Sequence, residues 1–267
     1  MCLHGWLDNA ASFVPLAPYL KSYDVIALDL AGHGRSDHRP AGTRYHMMDN
    51  LWDLDAVLDS LDWQDCFLIG HSLGGVIAST YSAAAPERVK KLITLDGLGA
   101  LSAPENETAS RLRISMQATR EPGTGLKDYP DIETAAKIRQ RVSGFPLEIA
   151  RILSKRALKL EDGVYRWRAD PGLNWRSPVL LTEDQVLDIL TAIKAPVLSI
   201  ISSEIRKMPR LTKFTKRKEA VRDLTHRDID GHHHFHMDQA ELTAQFILEF
   251  LNTTDSDTER SNASVQA

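Results

Sequence analysis

Cys66-Phe67-Leu68-Ile69-Gly70-His71-Ser72-Leu73-Gly74-Gly75 is the stretch from which the fold of this chain can be read. Its first four residues form a short apolar run of the kind that makes a buried strand. Residues 75–85 are small and close near Pro86, which reads as a helix. Gly70-x-Ser72-x-Gly74 leaves only a sharp turn between the two, from which the serine hydroxyl would project above the edge of a sheet. Glycine is expected at 70 and 74 because side chains there would strike neighbouring backbone. The helix would aim its N-terminus at the hydroxyl, where its partial positive charge favours a developing oxyanion. A plain glycine-rich turn would need no strand before it and no helix after it.

Working outward, residues 23–29 and 89–95 read as further buried strands, and 49–61 as a helix with Leu51, Leu54, Val57, Leu58 and Leu61 at helical spacing. Strands alternating with helices predict an α/β fold, a mostly parallel sheet flanked by helices. From 102 to 191 the alternation stops. Helical patterns at 107–117, 132–142 and 147–158, with prolines between them, predict an insertion of helical character rather than more sheet. The sheet resumes at 196–201, and 240–251 reads as a last amphipathic helix. The expected organisation is an α/β core over 1–101, helical cap over 102–191, core again over 192–251, and a disordered polar tail over 252–267.

A net charge of −4 gives no pull toward nucleic acid or an anionic membrane. No apolar run approaches the length of a bilayer span, and the chain opens with no secretory pattern. Only Cys2 and Cys66 occur, without metal or redox spacing, so the reading is a cytoplasmic protein without disulfides. Basic residues crowd 206–218, a pattern that fits a solvated loop and helix face better than a nucleic-acid patch. Oligomeric state is not legible.

Ser72 as a nucleophile implies partners. Acyl transfer needs two N–H donors aimed at the tetrahedral oxygen. The Leu73 amide, next after the nucleophile, is one candidate, and the Trp6 amide, set by the turn at Gly5 in His4-Gly5-Trp6, is the other. A base is sought in Gly231-His232-His233-His234-Phe235-His236-Met237, just before the last helix. A metal reading of these histidines finds no carboxylate or cysteine paired with them in the sequence, so neither metal nor cofactor is expected. Met116, Phe145, Leu153 and Trp167 fit an acyl pocket or plain helix packing equally well.

These residues together resemble the α/β-hydrolase superfamily, in particular serine hydrolase-like proteins and related bacterial hydrolases. The resemblance rests on Leu3 through Ala10, on Asp29-Leu30-Ala31-Gly32-His33-Gly34-Arg35-Ser36, on the Ser72 turn, and on Gly231 through Met237. It extends through Arg166–Pro171 and Leu181–Val186 in the insertion. The family's histidine stands three places before a His-hydrophobe-acid ending, here His236-Met237-Asp238, which implies His233, with His232 and His234 as alternatives. Many relatives carry the acid after the strand at 196–201, where this chain has Glu204. Others carry it one strand earlier, where Asp96 stands. Asp96 is the preferred reading and Glu204 the alternative. The resemblance also implies two further amino-terminal strands, for which this chain has no room. Its functional implication is a serine esterase that cleaves carboxylic esters of small molecules through an acyl-enzyme. Thioester, lactone or C–C hydrolysis by the same triad, or a non-catalytic binding module, are the alternatives. Ser72 in place of an aspartate argues against haloalkane dehalogenase and epoxide hydrolase chemistry.

Overall fold

The computed structural model describes residues 1–120, 127–206 and 211–253. Strand β1 (Cys2–Leu3) leads through two short 3-10 turns to β2 (Ala27–Leu28). Then come α1 (Asp49–Ser60), β3 (Cys66–His71), α2 (Leu73–Ala84) and β4 (Val89–Leu95). The long insertion holds α3 (Thr108–Arg120), α4 (Ile132–Ser143), α5 (Leu147–Ala157), β5 (Leu158–Glu161), β6 (Val164–Trp167) and α6 (Glu183–Ala192). After it follow β7 (Val197–Ser202), α7 (Ser203–Arg206), α8 (Leu211–Ala220) and β8 (Leu224–Ile229). Last are α9 (Phe235–Asp238) and α10 (Ala240–Asn252). The tail expected over 252–267 falls, from 254 on, outside the described residues.

Six strands form one parallel sheet in the order β2-β1-β3-β4-β7-β8. Its central strands are apolar on both faces because both are covered. Leu68, Leu92 and Val197 stand in register on one face, against Leu54 and Leu58 of α1, Ile77 of α2, and Val186 and Leu190 of α6. Ile69, Ile93 and Leu198 stand in register on the other, against Phe13, Leu16, and Ile247 and Phe250 of α10. The result is a three-layer α/β/α molecule. Helix α6, read from sequence as part of the insertion, belongs physically to the first of these layers.

The insertion is not wholly helical. Strands β5 and β6 make an antiparallel hairpin, which corrects the expectation of no further sheet there. Asp162 and Gly163 join them with φ of 52° and 80°, the doubly positive pattern of a type I′ turn, whose twist matches that of the strands. Phe145, Ile149 and Leu153 pack on Met237 of α9, and Leu158 packs with buried Tyr129 and half-buried Trp167. Of the four candidate pocket residues, Phe145 and Leu153 are therefore core, while Met116 is exposed. Among the described residues no helix is long and apolar enough to cross a membrane.

Candidate active site

Every candidate residue follows the carboxyl end of a sheet strand, where crevices form in open α/β sheets. His4-Gly5-Trp6 follows β1, Ser72 follows β3, Asp96 follows β4, Glu204 follows β7, and His232–His234 follow β8. Strand β8, which sequence periodicity does not reveal, is what carries the histidines to the site.

Ser72 occupies the turn between β3 and α2 with φ 52° and ψ −116°, a conformation that costs a non-glycine residue about 1–3 kcal/mol. Its neighbours hold it there. Its N–H donates to the Leu95 carbonyl at 2.9 Å, and its carbonyl accepts from Val76 at 3.1 Å. A Cβ on Gly70 would collide with the Gly74 backbone, and one on Gly74 with the Leu3 carbonyl. Only glycine lets α2 nest this closely on β1 and β3. At Gly5 a Cβ would lie 3.2 Å from Ser72 Cβ, which sets the His4-Gly5-Trp6 loop directly beside the serine.

Asp96 is buried, also at positive φ (51°), and its carboxylate collects three hydrogen bonds. Ser202 donates its N–H to Oδ1 at 2.6 Å and its hydroxyl to Oδ2 at 2.5 Å. His233 Nδ1 lies 3.0 Å from Oδ2. A carboxylate accepts only, so the hydrogen sits on Nδ1 and Nε2 is left bare. Glu204 comes to the same loop but plays a different part: its Oε2 accepts the His233 backbone N–H at 2.6 Å, not the ring. Ser202 is a partner that sequence reading misses. Its only signal is a serine at the end of a strand.

The other histidines are engaged elsewhere. His232 Nδ1 accepts the His234 N–H at 3.0 Å, and its Nε2 reaches Asp238 at 3.0 Å. His234 Nε2 reaches Asp8 Oδ2 at 2.9 Å. His236 Nε2 lies 2.7 Å from Ser12 Oγ. Among the described residues Ser72 Oγ, His233 Nε2 and the amides of Trp6 and Leu73 have no hydrogen-bond partner, so all four remain available to a substrate. The Trp6 ring is half-exposed, and its Nε1 donates to the Leu173 carbonyl of the insertion at 3.1 Å.

Two buried histidines fix the loop that carries Trp6. His4 Nε2 accepts the Leu30 N–H at 3.0 Å, so Nδ1 donates to the Gly5 carbonyl at 2.7 Å. His33 Nε2 accepts the Leu7 N–H at 3.2 Å and Nδ1 donates to Ala31 at 3.0 Å. Burial holds both below the ordinary histidine pKa, His33 at about 4. His71 and His236 are pushed well below it by burial first and then by neighbouring histidines, His236 beside His71 and His234 beside His236. For Asp8, burial would raise the carboxyl pKa, but His234 and the paired Arg139 guanidinium outweigh it and hold it far down.

A strand, a serine turn at positive φ and a helix, set in a parallel sheet with a carboxylate–imidazole pair after later strands, define the α/β-hydrolase class. The sequence profile of the alpha/beta hydrolase fold matches residues 1–141, more than half the chain, and the chain belongs to that family. It is 30% identical to a serine hydrolase-like protein of Danio rerio, over all of this chain and 85% of that one. Its structure resembles the crystal structure of a hypothetical protein from Pseudomonas aeruginosa PAO1, with TM-score 0.88 and 31% identity over 94% of this chain and 90% of that one. It also resembles a thioesterase domain from the curacin biosynthetic pathway, with TM-score 0.80 and 28% identity over 92% and 89% of the two chains.

Proposed function

We propose that the protein is a serine esterase that hydrolyses small carboxylic esters through an acyl-enzyme. The observation that carries this reading is the His233 ring, held by Asp96 through Nδ1 with Nε2 unpartnered, on the strand-end face that also presents Ser72. Ser72 Oγ attacks the carbonyl carbon while its proton passes to His233 Nε2. The Trp6 and Leu73 amides receive the oxyanion. Asp96 keeps the imidazole in the tautomer with a bare Nε2 and stabilises the imidazolium. The tetrahedral species collapses, the C–O bond breaks, and the alcohol leaves with the proton from His233. Water then attacks the acyl carbon, giving its proton to the same nitrogen, and Ser72 recovers a proton as the acid departs. No metal or cofactor enters these steps. The 102–191 segment serves as the cap: Arg139 pairs with Asp8, Arg156 with Asp29, and Trp6 with Leu173.

Hydrolysis of p-nitrophenyl esters of graded chain length, with fluorophosphonate labelling, tests the assignment. The natural chain should label and turn over, and Ser72→Ala should do neither. A Ser72→Ala variant with undiminished turnover would refute it. The structural likeness to a thioesterase domain favours thioesters as the second reading, decided by comparing an acyl thioester with its oxygen ester.

A further inference from the structure

Asp8, His71 and His234 lie beside Ser72, yet none takes part in the proton transfers above. One ligand-type atom from each lies within 4.8 Å of the other two. The metal reading from sequence found no carboxylate to pair with the histidine cluster; the fold supplies Asp8 from the other end of the chain, which corrects that reading. His71 is 1% exposed, and its Nε2 lies 2.8 Å from the His233 carbonyl oxygen. A carbonyl only accepts, so the ring hydrogen is on Nε2 and Nδ1 presents a bare lone pair. Asp8 Oδ2 stands 3.8 Å from that nitrogen, and no donor satisfies it. An acceptor facing a carboxylate across a water-poor gap is an arrangement that a cation converts from repulsion to attraction.

We infer that Asp8, His71 and His234 form a site for a divalent transition ion of the zinc class, and that its occupancy silences Ser72. Two imidazoles and a carboxylate are a donor set of zinc sites, and imidazole selects such ions over magnesium or calcium. Arg139 already holds Asp8 Oδ1 and leaves Oδ2 for the ion, an orienting contact of the kind that surrounds metal ligands. At His234 the ion takes the place of the hydrogen now shared with Asp8, and the ring binds in its other tautomer. Zinc–nitrogen bonds of about 2.0–2.1 Å place tetrahedral ligands about 3.3 Å apart. His71 must therefore draw in toward Asp8 Oδ2, now 3.8 Å away, while the Asp8–His234 pair, now 2.9 Å apart, opens slightly.

His71 directly precedes Ser72 and His234 directly follows His233, so this rearrangement of the ligands shifts the residues beside the nucleophile and the base. The ion's charge also opposes the imidazolium that His233 must become, since the His233 ring lies 4.7 Å from that of His71 and 5.5 Å from that of His234. This silencing rests on the role proposed for Ser72.

The test titrates the metal-free full chain with cobalt(II), then zinc, reading visible ligand-field absorption, while fluorophosphonate labelling reports Ser72. Expected are one ion per chain, cobalt displaced by zinc, and labelling slowed at least about tenfold. His234→Gln and the isosteric Asp8→Asn, each folded by circular dichroism, should each bind at least about tenfold more weakly. His226→Gln, whose ring reaches Asp228 away from the cluster, should bind as the natural chain does. Absence of a saturable ion, or equal affinity in both cluster variants, overturns the site. Saturation without slower labelling overturns the silencing. A metal-free chain that never labels counts against the esterase reading instead, and the cobalt spectrum still decides the site.

Discussion

Ser72 and Asp96 share a backbone feature: both hold φ near +50°, where only glycine is at ease, and each directly follows a parallel strand. The sheet over-determines both. Ser72 N–H is tied to Leu95, and Asp96 N–H donates to Ile200 at 2.9 Å. Which acid serves the histidine is a question at this scale, and it yields a prediction with two arms. Asp96→Asn replaces an acceptor-only group with one that offers N–H to His233 or to Ser202, and the imidazole then turns to the wrong tautomer. For the proposed ester hydrolysis, kcat should fall about 10⁴-fold. Glu204→Gln keeps an oxygen for the His233 N–H and should cost less than about tenfold. Equal losses from the two variants, measured by initial rates, would count against Asp96 as the orienting acid.

At the scale of elements, the insertion is stitched to the loops that carry the site. Asn9 Nδ2 donates to the Leu153 carbonyl at 3.0 Å. Arg156 of α5 approaches Asp29 at 2.7 Å, where Ala10 and Arg35 amides also bind the carboxylate. Burial would raise the Asp29 pKa, but Arg156 and the two amides hold it low. Gly34, at φ 52°, has no room for a Cβ beside that carboxylate, so the glycine turn over 32–34 is fitted to Asp29. Arg156→Met should therefore lower unfolding free energy by about 1–3 kcal/mol, read by urea denaturation, because a buried carboxylate loses its charged donor. Unchanged stability would mean the pair is idle. Helix α4 carries its own punctuation: Asp131 caps its start and Gly144, at φ 75°, ends it.

For the whole molecule, four histidines held neutral by burial make stability acid-sensitive. His33 titrates at about 4 in the fold against an ordinary 6.5. Between those values the unfolded chain binds the extra proton, so stability rises with pH. The contribution is full above about 6.5 and is lost as pH falls toward 4. His33 alone should remove about 2 kcal/mol between pH 7 and pH 5. His4, His71 and His236 act in the same direction. Because His4 and His33 accept N–H bonds from Leu30 and Leu7, protonation also loosens the Trp6 loop. Urea unfolding at several pH values checks this, and a flat profile from 7 to 5 would contradict it.

Much of this was settled locally. The Ser72 turn needs a glycine two positions away on either side, a strand before it and a helix after it, and all of these are contiguous in sequence. The apolar runs of β3, β4 and β7 and the periodicity of α1, α4 and α10 are local for the same reason: a buried strand or amphipathic helix writes its burial into its own residues. Even the hairpin left a sign in Asp162-Gly163, though its strands are only half-buried and lack a clear alternation. Strand β8, half exposed and charged, left none. Which side chains meet was decided only by the tertiary structure. Asp96, Ser202 and His233 stand on three different strand ends, and Asp8 reaches His234 across 226 positions of chain. Such meetings depend on strand order and register, which no short stretch of residues encodes.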